Sequence, residues 1–410
     1  MGGKLENKLN VVMVFSWPIY NQRGGAEKIM CELSNELVRR GHSVTVFSSD
    51  RSLGKPVYPI DESVKFVYFG GKKLSFLHSK IFNKLKSFSF YSSCRKTLRK
   101  IYQLDAGASQ LRQCLTKVNA DCYIAYSCDS AYLLKKAINQ DVQIVMMYHT
   151  APEFDYGNVF SVDPEGGPRG LKHYRMSRAM DAYNGLISKV RVIQVLMPEF
   201  VSQVQKKYPG VRVVYIPNAV SQFKRPALLE NPVIINVARL VSIKRQHLIV
   251  QAFFLLKDKF PEWTVEIWGQ DRGQYSDEIK QMVNELGLED RVKICGSTNN
   301  VEEQLERASI VLMTSSVEGF CLGMVEAMAK GIPAVGCEKC PAVNSIIRNG
   351  ENGFLCDDTP DGIADTLAKL MSDMSLRRRL GSQAREDAKI YEPQRIWNKW
   401  ESLLKSLRNS

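Results

Sequence analysis

Residues 10–48 read NVVMVFSWPIYNQRGGAEKIMCELSNELVRRGHSVTVFS. The run from Asn10 to Ser16 is almost wholly apolar and rich in valine, as a strand covered on both faces requires. A polar loop carrying Gly24-Gly25 follows, after which Ile29, Leu33 and Leu37 recur every four residues, the apolar stripe of a helix. Gly41 closes that helix, and Ser43 to Ser48 forms the next strand. Strand, helix and strand in this order make a βαβ unit, so the sheet is parallel.

Further strands are expected at 64–69, 121–126, 143–148 and 191–196, with stretches between them long enough for helical crossovers. A doubly wound α/β domain therefore fills residues 1–217. After Pro217-Asn218 and a polar linker near 217–231 the alternation restarts. Strands are expected at 233–238, 264–268, 291–295, 309–314 and 333–336, and helices at 245–257, 275–286, 301–307 and 321–330. That is a second α/β domain over 218–391, and a total of 410 residues suits two cores better than one. Residues 392–410 form an amphipathic helix with Ile396, Trp397, Trp400, Leu403, Leu404 and Leu407, expected to pack back on the first domain.

An apolar fraction of 44% with 24% charged residues excludes disordered and collagen-like chains. No apolar run approaches the roughly 20 residues that span a bilayer. The opening residues Met1 to Glu6 show no leader or myristoylation pattern, so a cytoplasmic chain is expected. The 10 cysteines are scattered, which favours reduced thiols. Cys337 and Cys340 form a CxxC without a second pair, so they read as small loop residues and no metal site is expected. The net charge of +13 asks for an anionic partner, and 9 Lys or Arg residues with no Asp or Glu lie between Lys72 and Lys100. Aromatic and aliphatic residues interleave with these cations, as in a segment lying on an anionic membrane surface. The run has no nucleic-acid recognition motif, so a non-catalytic nucleic-acid binder is the weaker alternative and no nucleic-acid partner is expected.

In parallel sheets the ligand edge is the carboxyl end of the strands. Arg239 and Lys244 follow one expected strand and can bracket a diphosphate. Glu318, Gly319, Phe320, Cys321 and Leu322 follow another, where a turn at Gly319 opens a helix and leaves the amides of Phe320, Cys321 and Leu322 free to seat a phosphate. Glu326, one turn into that helix, can hold two vicinal hydroxyls. In the first domain Gly24-Gly25 allows close backbone approach to a ligand, and His149 stands directly after an apolar strand.

These motifs together resemble the retaining glycosyltransferases of family 4, which have the GT-B fold of two Rossmann-like domains facing across a cleft. The resemblance rests on Glu318-x7-Glu326 within EGFCLGMVEAMAKGIP, Arg239-x4-Lys244, the Gly-Gly-Ala-Glu turn, Ile216-Pro217-Asn218 and the run from Asn349 to Phe354. It covers about residues 10 to 405 and is weakest in 70–120 and 150–190, where such enzymes meet their acceptors. It implies that Arg239 and Lys244 hold the donor diphosphate, Glu326 the ribose, Glu318 the transferred sugar, and the amides after Gly319 the distal phosphate. It also implies that His149 contacts the donor sugar near the reaction centre and that Gly24-Gly25 lies against the phosphate and the acceptor. The chain departs from the pattern at Cys321, Ala219 and Ser345, which leaves the donor sugar open.

The expected activity is metal-independent and cofactor-free transfer of a hexosyl or N-acetylhexosaminyl group from a nucleoside-diphosphate sugar, UDP-linked, to a hydroxyl of a lipid-linked glycan in surface polysaccharide synthesis. No Asp-x-Asp is present to hold a metal ion, and Arg239, Lys244 and the helix dipole can meet the leaving charge instead. The expected location is peripheral, on the inner face of the membrane. A soluble sugar or glucan synthase of the same fold is the alternative.

Overall fold

The computed structural model describes residues 8–49, 56–69, 92–138, 140–152, 181–271 and 273–409. The chain divides into two compact units, one ending at Ile216 and taking up the chain again from Trp397, the other running from Pro217 to Ile396.

The first unit contains strands β1 (Asn10–Phe15), β2 (Ser43–Ser48), β3 (Lys65–Tyr68), β4 (Cys122–Ala125), β5 (Ile144–Tyr148), β6 (Val192–Val195) and β7 (Arg212–Tyr215). Its helices are α1 (Gly25–Arg39), α2 (Ser92–Leu115), α3 (Cys128–Ala137) and α4 (Pro198–Lys207). The seven strands pair in the order β3-β2-β1-β4-β5-β6-β7, every pair parallel. Val11 to Phe15 are at most 1% exposed, which is why β1 shows no polar alternation. Ile29, Leu33 and Leu37 bury one side of α1, and Gly41 ends it at φ 92.

The second unit contains β8 (Val233–Val237), a 3-10 turn (Ser242–Lys244), α5 (Gln246–Phe254), β9 (Thr264–Trp268), α6 (Gln274–Glu285), β10 (Val292–Gly296), α7 (Val301–Glu306), β11 (Ile310–Met313), α8 (Leu322–Ala329) and β12 (Ala334–Cys337). It continues with α9 (Val343–Ile346), β13 (Gly353–Cys356), α10 (Pro360–Ser372) and α11 (Met374–Ala388). Its strand order is β10-β9-β8-β11-β12-β13, again all parallel. The last helix, α12 (Pro393–Arg408), buries Ile396, Trp397, Trp400, Leu403, Leu404 and Leu407.

The structure departs from the sequence reading in identifiable places. β7 and β13 were not expected as strands: both are edge strands of four residues, and β13 opens on Gly353, where a side chain would collide with the backbone of Ala334. The helix expected at 245–257 is α5, which begins after Arg245 and stops at Phe254. Helices α10 and α11 were missed, although Thr359 caps the amide of Gly362 with Pro360 as the next residue, a start signal present in the sequence. Cys337 ends β12 instead of lying in a loop.

In both sheets the strand order reverses at one place, between β1 and β4 and between β8 and β11. At such a reversal the two adjacent crossovers leave in opposite directions and open a crevice at the strand ends. The loops after these four strands are therefore the ligand-facing positions of each unit.

Candidate active site

In the second unit, β8 runs out into Arg239 and the turn Ser242–Lys244, while β11 runs out into Thr314 to Phe320 and then α8. Lys244 Nζ lies 2.6 Å from Glu318 Oε1, with side chains only 13% and 11% exposed. Ser315 Oγ donates to the same carboxylate oxygen at 2.8 Å. Shielding strengthens the attraction between these charges but also costs their hydration, so its main consequence is that neither charge can lose its partner cheaply.

Helix α8 is preceded by Cys321 at its N-cap, whose φ of 57 and ψ of 56 are left-handed. The chain bends at Gly319 and Phe320 before this helix, and the residue that takes the left-handed conformation is Cys321, at a cost of about 1–2 kcal/mol for a side-chain-bearing residue. The amides of Phe320, Cys321 and Leu322 have no acceptor among the described residues, so the positive end of α8 keeps open donors. Gly323 lets α8 lie against β8, since a Cβ there would collide with the Val237 carbonyl. Burial pushes the Cys321 thiol well above its ordinary pKa, and Glu318 adds to the effect, so the sulfur stays protonated and is no nucleophile. Glu326 sits one turn into α8 and is 7% exposed. Arg239 is exposed, and its side chain has no partner among the described residues.

Arg245 was not foreseen. Its Nε donates to Thr314 O at 2.7 Å, and its Nη2 donates to Ser315 O at 3.2 Å and to Asp358 Oδ2 at 2.6 Å. The signal in the sequence was only its place beside Lys244.

In the first unit, Gly24 stands at the N-terminus of α1, and a Cβ there would collide with the Glu27 carboxylate, which folds back over the turn. Trp17 Nε1 donates to Glu27 Oε1 at 2.9 Å. The space that Gly24 leaves is thus filled by the chain's own carboxylate, while Gly25 beside it is exposed. His149 stacks on Tyr126 with ring centroids 5.3 Å apart, and Tyr126 stacks on Phe15 at 4.0 Å. Burial lowers the His149 pKa to about 4, so the ring is neutral at pH 7. Its Nε2 and the Tyr126 hydroxyl are buried with no hydrogen-bond partner among the described residues.

Glu318, Lys244, Cys321 and Glu326 are therefore built on the strand-order reversal of the second unit and Gly24 and Gly25 on that of the first, while His149 follows β5, one strand beyond the reversal, and meets it through its stack on Tyr126 after β4. The basic run 72–100 lies outside the described residues up to position 91, and its end falls in α2, where Lys100 pairs with Asp129 at 2.9 Å. No helix among the described residues is long and apolar enough to cross a membrane.

Two parallel-sheet α/β units with these strand orders define a GT-B glycosyltransferase fold. S. aureus TarM in complex with fondaparinux, alpha-GlcNAc-glycerol and UDP has the same fold, with a TM-score of 0.72 at 16% identity over 98% of this chain and 100% of that one. A family model described as Glycosyltransferase Family 4 matches residues 23–222, and one described as Glycosyl transferases group 1 matches residues 219–387. An uncharacterized glycosyltransferase of Haemophilus influenzae is 24% identical over 93% of this chain and 96% of its own length. The N-acetyl-alpha-D-glucosaminyl L-malate synthase of Bacillus anthracis is 26% identical over 91% of each. The chain belongs to the family 4 glycosyltransferases.

Proposed function

We propose that this glycosyltransferase moves a hexosyl or N-acetylhexosaminyl group from a UDP-sugar to a hydroxyl of a growing lipid-linked glycan, with retention of configuration and without a metal ion. The observation that carries this reading is the shielded Lys244–Glu318 pair beside the open amides of α8. It sets a cation, a carboxylate and backbone donors at one sheet edge, the groups that a sugar diphosphate requires. The TarM structure with UDP and the N-acetylglucosaminyl activity in the name of the B. anthracis relative favour this donor class.

In this reading Arg239 and Lys244 neutralise the diphosphate, and the amides of Phe320, Cys321 and Leu322 receive its distal phosphate. Glu326 accepts hydrogen bonds from the ribose hydroxyls and Glu318 from the sugar. When the donor arrives, Lys244 exchanges part of its contact with Glu318 for phosphate, which frees carboxylate lone pairs for sugar hydroxyls. The bond from the anomeric carbon to the diphosphate breaks, the acceptor oxygen bonds that carbon from the same face, and its proton passes to a phosphate oxygen. His149, held neutral, serves as a hydrogen-bond partner for the sugar, with Gly24 and Gly25 near the phosphate and acceptor.

The test is thermal shift with UDP, GDP and ADP and their sugars, since a ligand of the folded state raises the melting temperature by mass action. UDP and one UDP-sugar should raise it most. Equal shifts from all three nucleotides, or none from any, would overturn the donor assignment.

A further inference from the structure

Arg245 holds φ 51 and ψ 40 between the turn Ser242–Lys244 and α5, a left-handed conformation that glycine adopts without penalty and arginine does not. Strain of this kind persists where the surroundings over-determine it. Here the surroundings are explicit. The guanidinium does not cap α5; it reaches across to Thr314 O and Ser315 O in the loop after β11 and to Asp358 just after β13. The loop answers in kind. Thr314 Oγ1 lies 2.9 Å from Lys244 O and 3.1 Å from Arg245 O, and its proton is shared between those carbonyls. Ser316 N donates to Ile243 O at 3.0 Å.

These bonds zip the segment carrying Lys244 to the segment carrying Glu318, and the two side chains meet just beyond the zipper at 2.6 Å. We propose that Arg245 is a positioning residue: it fixes Glu318 relative to Lys244 and so sets how strongly the site prefers a nucleoside-diphosphate sugar over the bare nucleoside diphosphate. The inference rests on the donor-site reading above. A bare diphosphate can be held by Arg239, Lys244 and the α8 amides, which tolerate a shift of the Glu318 loop. A sugar hydroxyl bonded to Glu318 does not, because displacement of about 1 Å is enough to lose a directed contact. Lysine cannot replace the arginine, since an ammonium lacks the planar fork that serves two carbonyls and a carboxylate at once.

The experiment measures calorimetric binding of UDP, UDP-glucose and UDP-N-acetylglucosamine to the wild type, Arg245→Gly, Arg245→Lys and Thr314→Val, with thermal melts of these proteins and of Arg245→Ala. For the UDP-sugar that the wild type binds best, Arg245→Gly should lose about tenfold in its preference over UDP. Its affinity for UDP itself should change by no more than about twofold, and its melting temperature should equal or exceed that of Arg245→Ala because glycine relieves the backbone strain. Arg245→Lys should behave like Arg245→Gly in its preference. Thr314→Val breaks the zipper from the other loop with no change of charge; it should shift the preference in the same direction and carries the test if Arg245→Gly does not fold. A wild type that binds no nucleotide overturns the donor-site reading and this proposal with it. Wild-type preference in Arg245→Gly, equal losses of UDP and UDP-sugar, or full restoration by lysine would each overturn the positioning role alone.

Discussion

Arg40 Nη1 stands 2.5 Å from Glu401 Oε2, although 361 positions separate the two residues along the chain. Arg40 Nε also donates to Glu36 at 2.6 Å, and Lys405 Nζ lies 2.6 Å from the other oxygen of Glu401. His42 completes the cluster: its Nδ1 accepts from Leu9 N at 3.1 Å, which leaves the ring proton on Nε2, 3.3 Å from Glu401. Together with buried Trp400 and Leu404, this charged cluster ties α12 to the first unit.

The cluster makes stability depend on acid. Burial alone would raise the Glu401 pKa, but hydrogen bonds from Lys405 and Arg40 outweigh it and hold the value at about 2, against an ordinary 4.5. A carboxyl held below its unfolded value stabilises the fold above pH 4.5, and that contribution fades as pH falls from there towards 2. Glu401→Gln should therefore cost about 1.5–3 kcal/mol at pH 7 and less than half of that at pH 3. Urea melts of both proteins at the two pH values check this, and a pH-independent difference would contradict it.

Glu326→Ala and Lys244→Ala should each weaken binding of the preferred nucleotide by about 1.5–3 kcal/mol, the range for hydrogen bonds to charged groups. Lys244→Ala also leaves Glu318 with only Ser315 as its partner, so it should lower the melting temperature more than Glu326→Ala. Calorimetric titration and thermal melts separate the two effects. Wild-type affinity in either variant would refute the assigned roles.

At Cys321 the usual order of substitutions should reverse. Alanine keeps the left-handed strain and loses the sulfur, whereas glycine removes the strain. Cys321→Gly should therefore be more stable than Cys321→Ala by about 1 kcal/mol. Chemical denaturation of the pair reads the difference directly.

Because Arg239, Lys244 and the α8 amides can meet the leaving charge, transfer should continue in excess EDTA. Activity abolished by the chelator and restored only by Mg or Mn would require a different assignment.

The segment 72–100 should bind anionic vesicles at low salt and release them as salt screens the attraction, each near-surface cation contributing about 1 kcal/mol. Changing Lys80, Lys84, Lys86, Arg95 and Lys96 to Gln should abolish co-sedimentation. Lys100 is left out because Asp129 already pairs with it. Equal binding to neutral and anionic vesicles would refute the idea.

The parallel sheets were legible in the sequence because a strand buried on both faces must be largely apolar: β5 and β11 are apolar throughout, and β1 and β8 carry one asparagine each. The loops that carry Arg239, Lys244 and Glu318, and the helix that carries Glu326, were legible for the same reason, since each follows such a strand. The edges were not: β7 and β13 bury too little to leave a pattern. Nor was the wiring between loops. That Lys244 faces Glu318 and that Arg245 spans to Thr314, Ser315 and Asp358 depends on strand order, which brings together residues far apart along the chain. The left-handed positions at Cys321 and Arg245 were hidden by the same physics, because residue type alone points to glycine there and only the contacts formed after folding make another residue worth its strain.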